Sequence, residues 1–141
     1  DLKVKIISNE LYGNIVDVAT QIHEAAEAGT VVLGAGEPEL IVTVKNGTGG
    51  RSQMLAMEML PKLSGNDVFA AIASDGHDNG RYAGAIEDVE TRSRAAELNL
   101  DYEDYKGRFD SENFYEQLGH ELLDTGYTNA NVSDIMVYYR P

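Results

Sequence analysis

Residues 45–53 read KNGTGGRSQ and place three glycines and one arginine between two apolar runs. Gly49 and Gly50 remove the Cβ atoms that would keep a backbone away from a ligand. A helix starting near Ser52 would offer unpaired N–H groups and the positive end of its dipole to an anion. Arg51 adds a planar fork of donors that fits phosphate or carboxylate. The GxxxxGK[ST] order of a Walker A loop is absent. The same residues also suit a plain turn carrying a solvated arginine, and spacing alone leaves both readings open.

Two more polar loops carry chemistry-bearing side chains. Residues 74–78 read SDGHD. Asp75 and Asp78 are spaced to offer oxygen ligands to Mg²⁺, or to close an Asx turn at a strand end. His77 between them suits an exposed loop position and is given no role. Residues 128–134 read TNANVSD. The amides of Asn129 and Asn131 both donate and accept, which suits ribose, base or carboxylate groups. A turn before the last strand explains the same composition.

The elements that must position these loops follow from periodicity. Residues 4–7 (VKII) read as a strand. Ile15, Val18, Ala19, Ile22, Ala25 and Ala26 repeat at three and four behind a capping Asn14, with Asp17 three residues on and Gly29 as the stop. Residues 30–33 (TVVL) are a second strand, so the first two strands should run parallel. Residues 40–45 (LIVTVK) are rich in β-branched residues and predict a further strand. Leu55, Ala56, Met59, Leu60 and Leu63 predict a helix from Ser52 that Pro61 should kink or end. Residues 68–73 (VFAAIA) suit a central strand covered on both faces.

Beyond that strand, residues 83–89 are ambiguous, residues 91–98 read as helical, and residues 102–105 begin another helical turn. Asp110 or Ser111 caps a helix through Phe114, Leu118 and Leu122, ended by Gly126, and residues 135–139 (IMVYY) form the last strand. The expected fold is α/β: one small three-layer-type domain with a mixed sheet of about five strands and flanking helices.

Composition narrows the partners. Twenty-four acids against eleven bases give a net charge of −13, a field that repels nucleic acid and anionic membranes. The acids are spread along the chain, as on a solvated acidic surface. Without cysteine there is neither a disulfide framework nor a thiolate metal site. No apolar run approaches the roughly 18 residues of a membrane span, and no signal peptide is visible, which gives the expectation of a cytoplasmic protein. The chain starts without methionine, as a trimmed piece of something longer would.

Taken in order, the loops resemble the MOFRL domain, the C-terminal domain of the class II glycerate 2-kinases. Its landmarks are an ETTVTVK strand, a GGRNQE motif opening a helix, a TDGxDG loop and a TGTNVND loop before the last strand. They correspond here to ELIVTVK (39–45), GGRSQ (49–53), SDGHD (74–78) and TNANVSD (128–134), and AGAI (83–86) matches the step after the second loop. The similarity runs from about Glu37 to the C-terminus, with residues 1–36 as a leading strand–helix–strand segment and 37–141 as the MOFRL-like part. Departures include Leu40 and Ile41 for threonines, Ser52 for asparagine, Met54 for glutamate, and GRY (80–82) for PTD.

The resemblance implies ATP-dependent phosphorylation of D-glycerate to 2-phosphoglycerate, in a cleft shared with a larger Rossmann-like N-terminal domain or subunit that supplies a catalytic lysine. It implies Arg51 and Asp75 as catalytic residues. Gly49, Gly50, Gln53, Gly76, Asn129 and Asn131 would contact a small anionic substrate or phosphate, and Asp75 with Asp78 would hold Mg²⁺. A chain lacking the other domain should be inactive alone. The alternative is a free-standing module that binds a small anion or a partner without catalysis.

Overall fold

The first 36 residues build a crossover. β1 (Lys3–Ser8) and β2 (Thr30–Gly36) pair in parallel, Ile6 opposite Leu33, with α1 (Ile15–Ala25) between them. Helix α1 forms because Ile15, Val18, Ala19 and Ile22 share one buried face. Asn14 caps it by accepting the Val16 N–H at 2.8 Å. The helix ends at Ala25, and Gly29 serves instead in the turn before β2, at φ +74°. The computed structural model describes residues 2–44 and 47–141.

The remaining elements are α2 (Arg51–Met59), a 3₁₀ turn (Leu60–Lys62), β3 (Val68–Ala73), β4 (Gly84–Asp88), α3 (Val89–Glu97), α4 (Tyr102–Gly107), α5 (Ser111–Leu118), β5 (Leu122–Leu123) and β6 (Asp134–Arg140). The ambiguous 83–89 stretch thus resolves into β4 and the start of α3. Pro61 sits in the 3₁₀ turn, where the α-helical ladder of α2 stops. The sheet has six strands in the order β1-β2-β6-β3-β4-β5, against about five expected: β4, from the ambiguous stretch, and the two-residue β5 join it, and the strand expected at 40–45 does not. β6 runs antiparallel to both β2 and β3. The last strand therefore stitches the leading segment to the rest in one sheet.

Alternation sorts the sheet into two unlike faces. Val32, Tyr138 and Phe69 lie side by side across β2, β6 and β3, and all three are buried among the helices. The opposite face carries no helix among the described residues; Ile6 and Val4 on it are 73% and 57% exposed. β3 is central, as its apolar run predicts, but helices cover one of its faces only. The architecture is the small α/β domain with a mixed sheet and flanking helices that the pattern indicates, and the helices among the described residues gather on one face of the sheet. At the far end, Tyr138 Oη donates to the buried Asp67 at 2.7 Å and Arg140 pairs with the same carboxylate at 3.2 Å.

Two further expectations are corrected. Residues 40–44 do not join the sheet; they run outside it, with a single bridge from Glu39 to Asn14 upstream. Lys45, the end of that expected strand, lies outside the described residues. β-Branched residues favour a pleated surface only where a neighbour supplies the ladder, and both edges of β2 are already taken by β1 and β6. The helix expected to reach Gly126 stops at Leu118. Gly119 turns the chain at φ +95°, with its N–H on Tyr115 O, and Leu122 and Leu123 go to β5. Among the described residues no helix is long and apolar enough to cross a membrane.

The two faces should answer mutation differently. Phe69→Ala, on the buried face at 0% exposure, should cost about 3–5 kcal/mol in urea unfolding. Ile6→Ala, on the open face, should stay within about 0.5 kcal/mol.

Candidate functional site

Three loops meet beyond one end of the sheet, and a cavity of about 760 Å³ lies between them. The deepest link is electrostatic. Asp78, 4% exposed, accepts the Ser52 N–H on Oδ1 at 3.0 Å and the Gln53 N–H on Oδ2 at 2.7 Å. It is the carboxylate that satisfies the N-terminus of α2. Gly50 precedes that helix, and a Cβ on it would run into Asp78 Oδ1 and the Asp78 carbonyl. This close approach is why the GGR sequence needs its second glycine. Asn79 adds a bond from Nδ2 to Gly49 O at 3.1 Å.

The second loop is tied to the third in the same way. Ser74 Oγ accepts the Val132 N–H at 2.8 Å, Thr128 Oγ1 donates to Ser74 O at 2.6 Å, and the Thr128 N–H donates to Asp75 O at 3.0 Å. Gly76, at φ +91°, lets the Gly126 carbonyl approach where a Cβ would collide with it. Asp75 Oδ1 accepts the His77 N–H at 2.9 Å, which is an Asx turn, and its Oδ2 faces Asn131 Nδ2 at 3.5 Å.

Arg51 projects from the first turn of α2. Its Nε donates to Asp134 Oδ2 at 2.5 Å, its Nη2 to Asp134 Oδ1 at 3.3 Å, and its Nη1 to Glu37 Oε2 at 3.4 Å. Burial of Asp134 raises its pKa even against the guanidinium, while the hydrogen bond to Asp134 raises that of Arg51. The two shifts point opposite ways for the pair. A carboxylate accepting from a guanidinium on both oxygens is the geometry of an ion pair. Among the described residues, three of the five N–H groups of Arg51 are engaged, by Asp134 and Glu37.

The cavity is lined by Gly49, Gly50, Arg51, Asp75, Asp78 and Asn131 of the residues read from the sequence. Gln53, Gly76 and Asn129 do not line it. Gln53 is wholly buried beneath the loop, with its amide close to the Glu112 carboxylate. Gly76 is buried in the turn, and Asn129 is exposed at φ +58°. Asp78 lines the cavity but spends both oxygens on backbone N–H groups, so it caps a helix rather than pairing with Asp75 around an ion. Among the described residues no three acid or histidine side chains converge as a metal site. Sequence reasoning missed Glu37 and Asp134 as partners of Arg51. Asp134 stands at the end of the TNANVSD loop, but nothing in spacing signals an ion pair across 83 positions.

The site is acidic. Glu37, Glu39, Asp75, Asp78 and Asp134 line it against the single guanidinium of Arg51. Burial, and to a lesser degree Asp134, pushes the Asp78 carboxyl up to about 6, against the two backbone N–H bonds and Arg51 that hold it down. Its usual value is 3.8, so the folded state holds an extra proton between roughly pH 4 and 6, and stability from this group falls as pH rises through that window. Asp78→Asn should remove this dependence: the stability of the parent relative to the variant should fall from pH 4 to pH 6 in parallel urea titrations. Gly50→Ala should displace the Asp78 cap and cost at least about 2 kcal/mol in the same measurement.

Comparison with known proteins places this arrangement. The MOFRL family matches residues 30–134. Glycerate kinase of Danio rerio is 37% identical over 120 residues, covering 79% of this chain and 24% of that protein. Glycerate 2-kinase of Sulfurisphaera tokodaii is 35% identical over 113 residues, covering 75% and 26%. The crystal structure of a glycerate kinase from Thermotoga maritima superposes with a TM-score of 0.90 at 25% identity, over 99% of this chain and 36% of that one. The chain thus spans about a quarter of the length of these two curated relatives, matching their C-terminal part. With the family match covering most of its length, the chain belongs to the MOFRL family.

Proposed function

We propose that this chain forms one wall of a kinase cleft that phosphorylates the 2-hydroxyl of D-glycerate from ATP, the other wall being an N-terminal Rossmann-like domain or subunit. The observation that carries the reading is Arg51. Its guanidinium is fixed by Asp134 on one edge, and Arg51 lines a cavity of about 760 Å³. Phosphoryl transfer asks a protein mainly for positioning and charge neutralisation, and a preorganised arginine supplies both.

The donor set fits Mg²⁺ in one respect. The cavity is rich in carboxylate oxygens but no three of them converge, which suits an ion that keeps most of its water and is held by one carboxylate and the phosphates of a nucleotide. Asp75, whose Oδ2 has only the 3.5 Å contact to Asn131, is the residue that would hold it. When bound, Mg²⁺ offsets phosphate charge in a wall that otherwise carries five carboxylates. Arg51 holds an oxyanion of the substrate, either the glycerate carboxylate or the phosphoryl group in transfer. Asn131, exposed on the rim, donates or accepts at a hydroxyl.

The alternative, a module that binds a small anion without catalysis, rests on a specific feature. Asp78 already occupies the helix N-terminus and Glu37 reaches toward Arg51, as in a module that binds an anion weakly and catalyses nothing.

The chain alone should show no ADP release with ATP, Mg²⁺ and D-glycerate, because half a cleft neither aligns two substrates nor excludes water. Fused after the N-terminal part of the Thermotoga maritima enzyme it should turn over, and Arg51→Ala in that fusion should lower kcat/KM by about 10²-fold or more. Loss in KM for glycerate assigns Arg51 to the carboxylate, and loss in kcat assigns it to the phosphoryl group. A well-folded fusion without turnover, or one indifferent to Arg51→Ala, contradicts the proposal.

A further inference from the structure

The face of the sheet opposite the helices is apolar across five of its six strands. One row in register crosses five strands as Ile6, Leu33, Val137, Ala70 and Ile86. The next row continues it with Val31 and Tyr139. Ile6 is the most exposed large apolar side chain of the described residues, and Ile86 and Ile135 are 38% and 37% exposed. In a chain with 24 acidic residues, the acids bordering these rows are Asp88 at the end of β4, whose carboxylate caps α3, and the buried Glu121 beside Ile86, whose carboxylate pairs with Arg94. Contiguous apolar surface of this kind marks a contact surface rather than a solvated one. A sheet with a parallel pair formed through a helical crossover is ordinarily covered on both faces.

We infer that this open face is the seat of an apolar, helix-bearing segment of the polypeptide that precedes β1 in the longer relatives, separate from the cleft. Two observations choose this occupant. The relatives carry most of their length ahead of the matched part. Any such segment enters at Lys3, on the edge strand whose exposed Val4 and Ile6 open the apolar face, so it arrives beside the surface it would cover. A second copy of the chain is disfavoured because it would bring two molecules of net charge −13 together. A helix laid across strands buries both layers' apolar stripes without further strand pairing.

The seat goes beyond the functional reading. It concerns the sheet face, whereas the cleft lies at the loop end. Both need a preceding polypeptide, and the measurement separates them.

Hydroxyl-radical footprinting of the isolated chain should label Ile6, Ile135 and Tyr139 strongly and independently of protein concentration. In the fusion to the N-terminal part of the Thermotoga maritima enzyme, labelling of these three should fall at least fivefold. Ile6→Asp should leave the melting temperature of the isolated chain unchanged and lower that of the fusion by several degrees. The same N-terminal part added in trans gives a second format should the fusion fold poorly. Unchanged labelling in both formats overturns the inference, whether nothing binds or only the cavity rim is protected. Protection that grows with concentration of the isolated chain assigns the face to a second copy and also overturns it. Turnover with an unprotected face leaves the kinase reading standing without this seat, and a protected face without turnover does the reverse.

Discussion

The carboxylate of Asp78 on the N-terminus of α2 is the contact on which the site depends. It satisfies two backbone N–H groups at 3.0 and 2.7 Å from a nearly water-free position. It thereby fixes the loop after β3 against the helix that carries Arg51. A carboxylate buried this far is costly unless its partners are good, and its upward-shifted pKa records that cost. Remove the contact and two things come loose together: the helix start, and the close passage of Gly50 that only a residue without a Cβ permits.

That contact also redirects the chemistry. A free helix N-terminus would be an anion site in its own right, but here the anion is built in. What remains for a ligand is the outer edge of Arg51, held by Asp134. The surrounding wall is acidic, so a phosphate would meet repulsion from four further carboxylates besides Asp78 unless a cation came with it. On the proposed reading, charge favours an anion that arrives with a cation over a bare one.

Much of the fold was legible. The apolar stripes of α1 and α2, the parallel β1–β2 pair, the central β3 and the final strand all follow from period and caps. The failures have one cause: sequence shows propensity, not neighbours. The LIVTVK run has strand propensity, but β2 has no free edge for it. Leu122 keeps helical spacing after Leu118, yet Gly119 takes the left-handed turn first. The apolar VFAAIA run implied two covered faces, and the described residues cover one. At the site, order along the chain located the three loops, and the structure brings Arg51, Asp75 and Asn131 to one cavity. The partners that orient them were hidden. Asp134 is 83 residues from Arg51 and Asp78 is 26 from Ser52, and only the fold sets such pairs side by side.

Amide exchange by NMR tests most directly whether Asp78 holds the site together. In the parent, the Ser52 and Gln53 amides and the Arg51 Nε–H should exchange slowly. In Asp78→Ala, with the fold otherwise retained, all three should exchange at least about 100-fold faster, roughly the 2.7 kcal/mol of a lost charged bond. Protection of the three groups unchanged by the substitution would contradict the account, because α2 and Arg51 would then be held without the carboxylate.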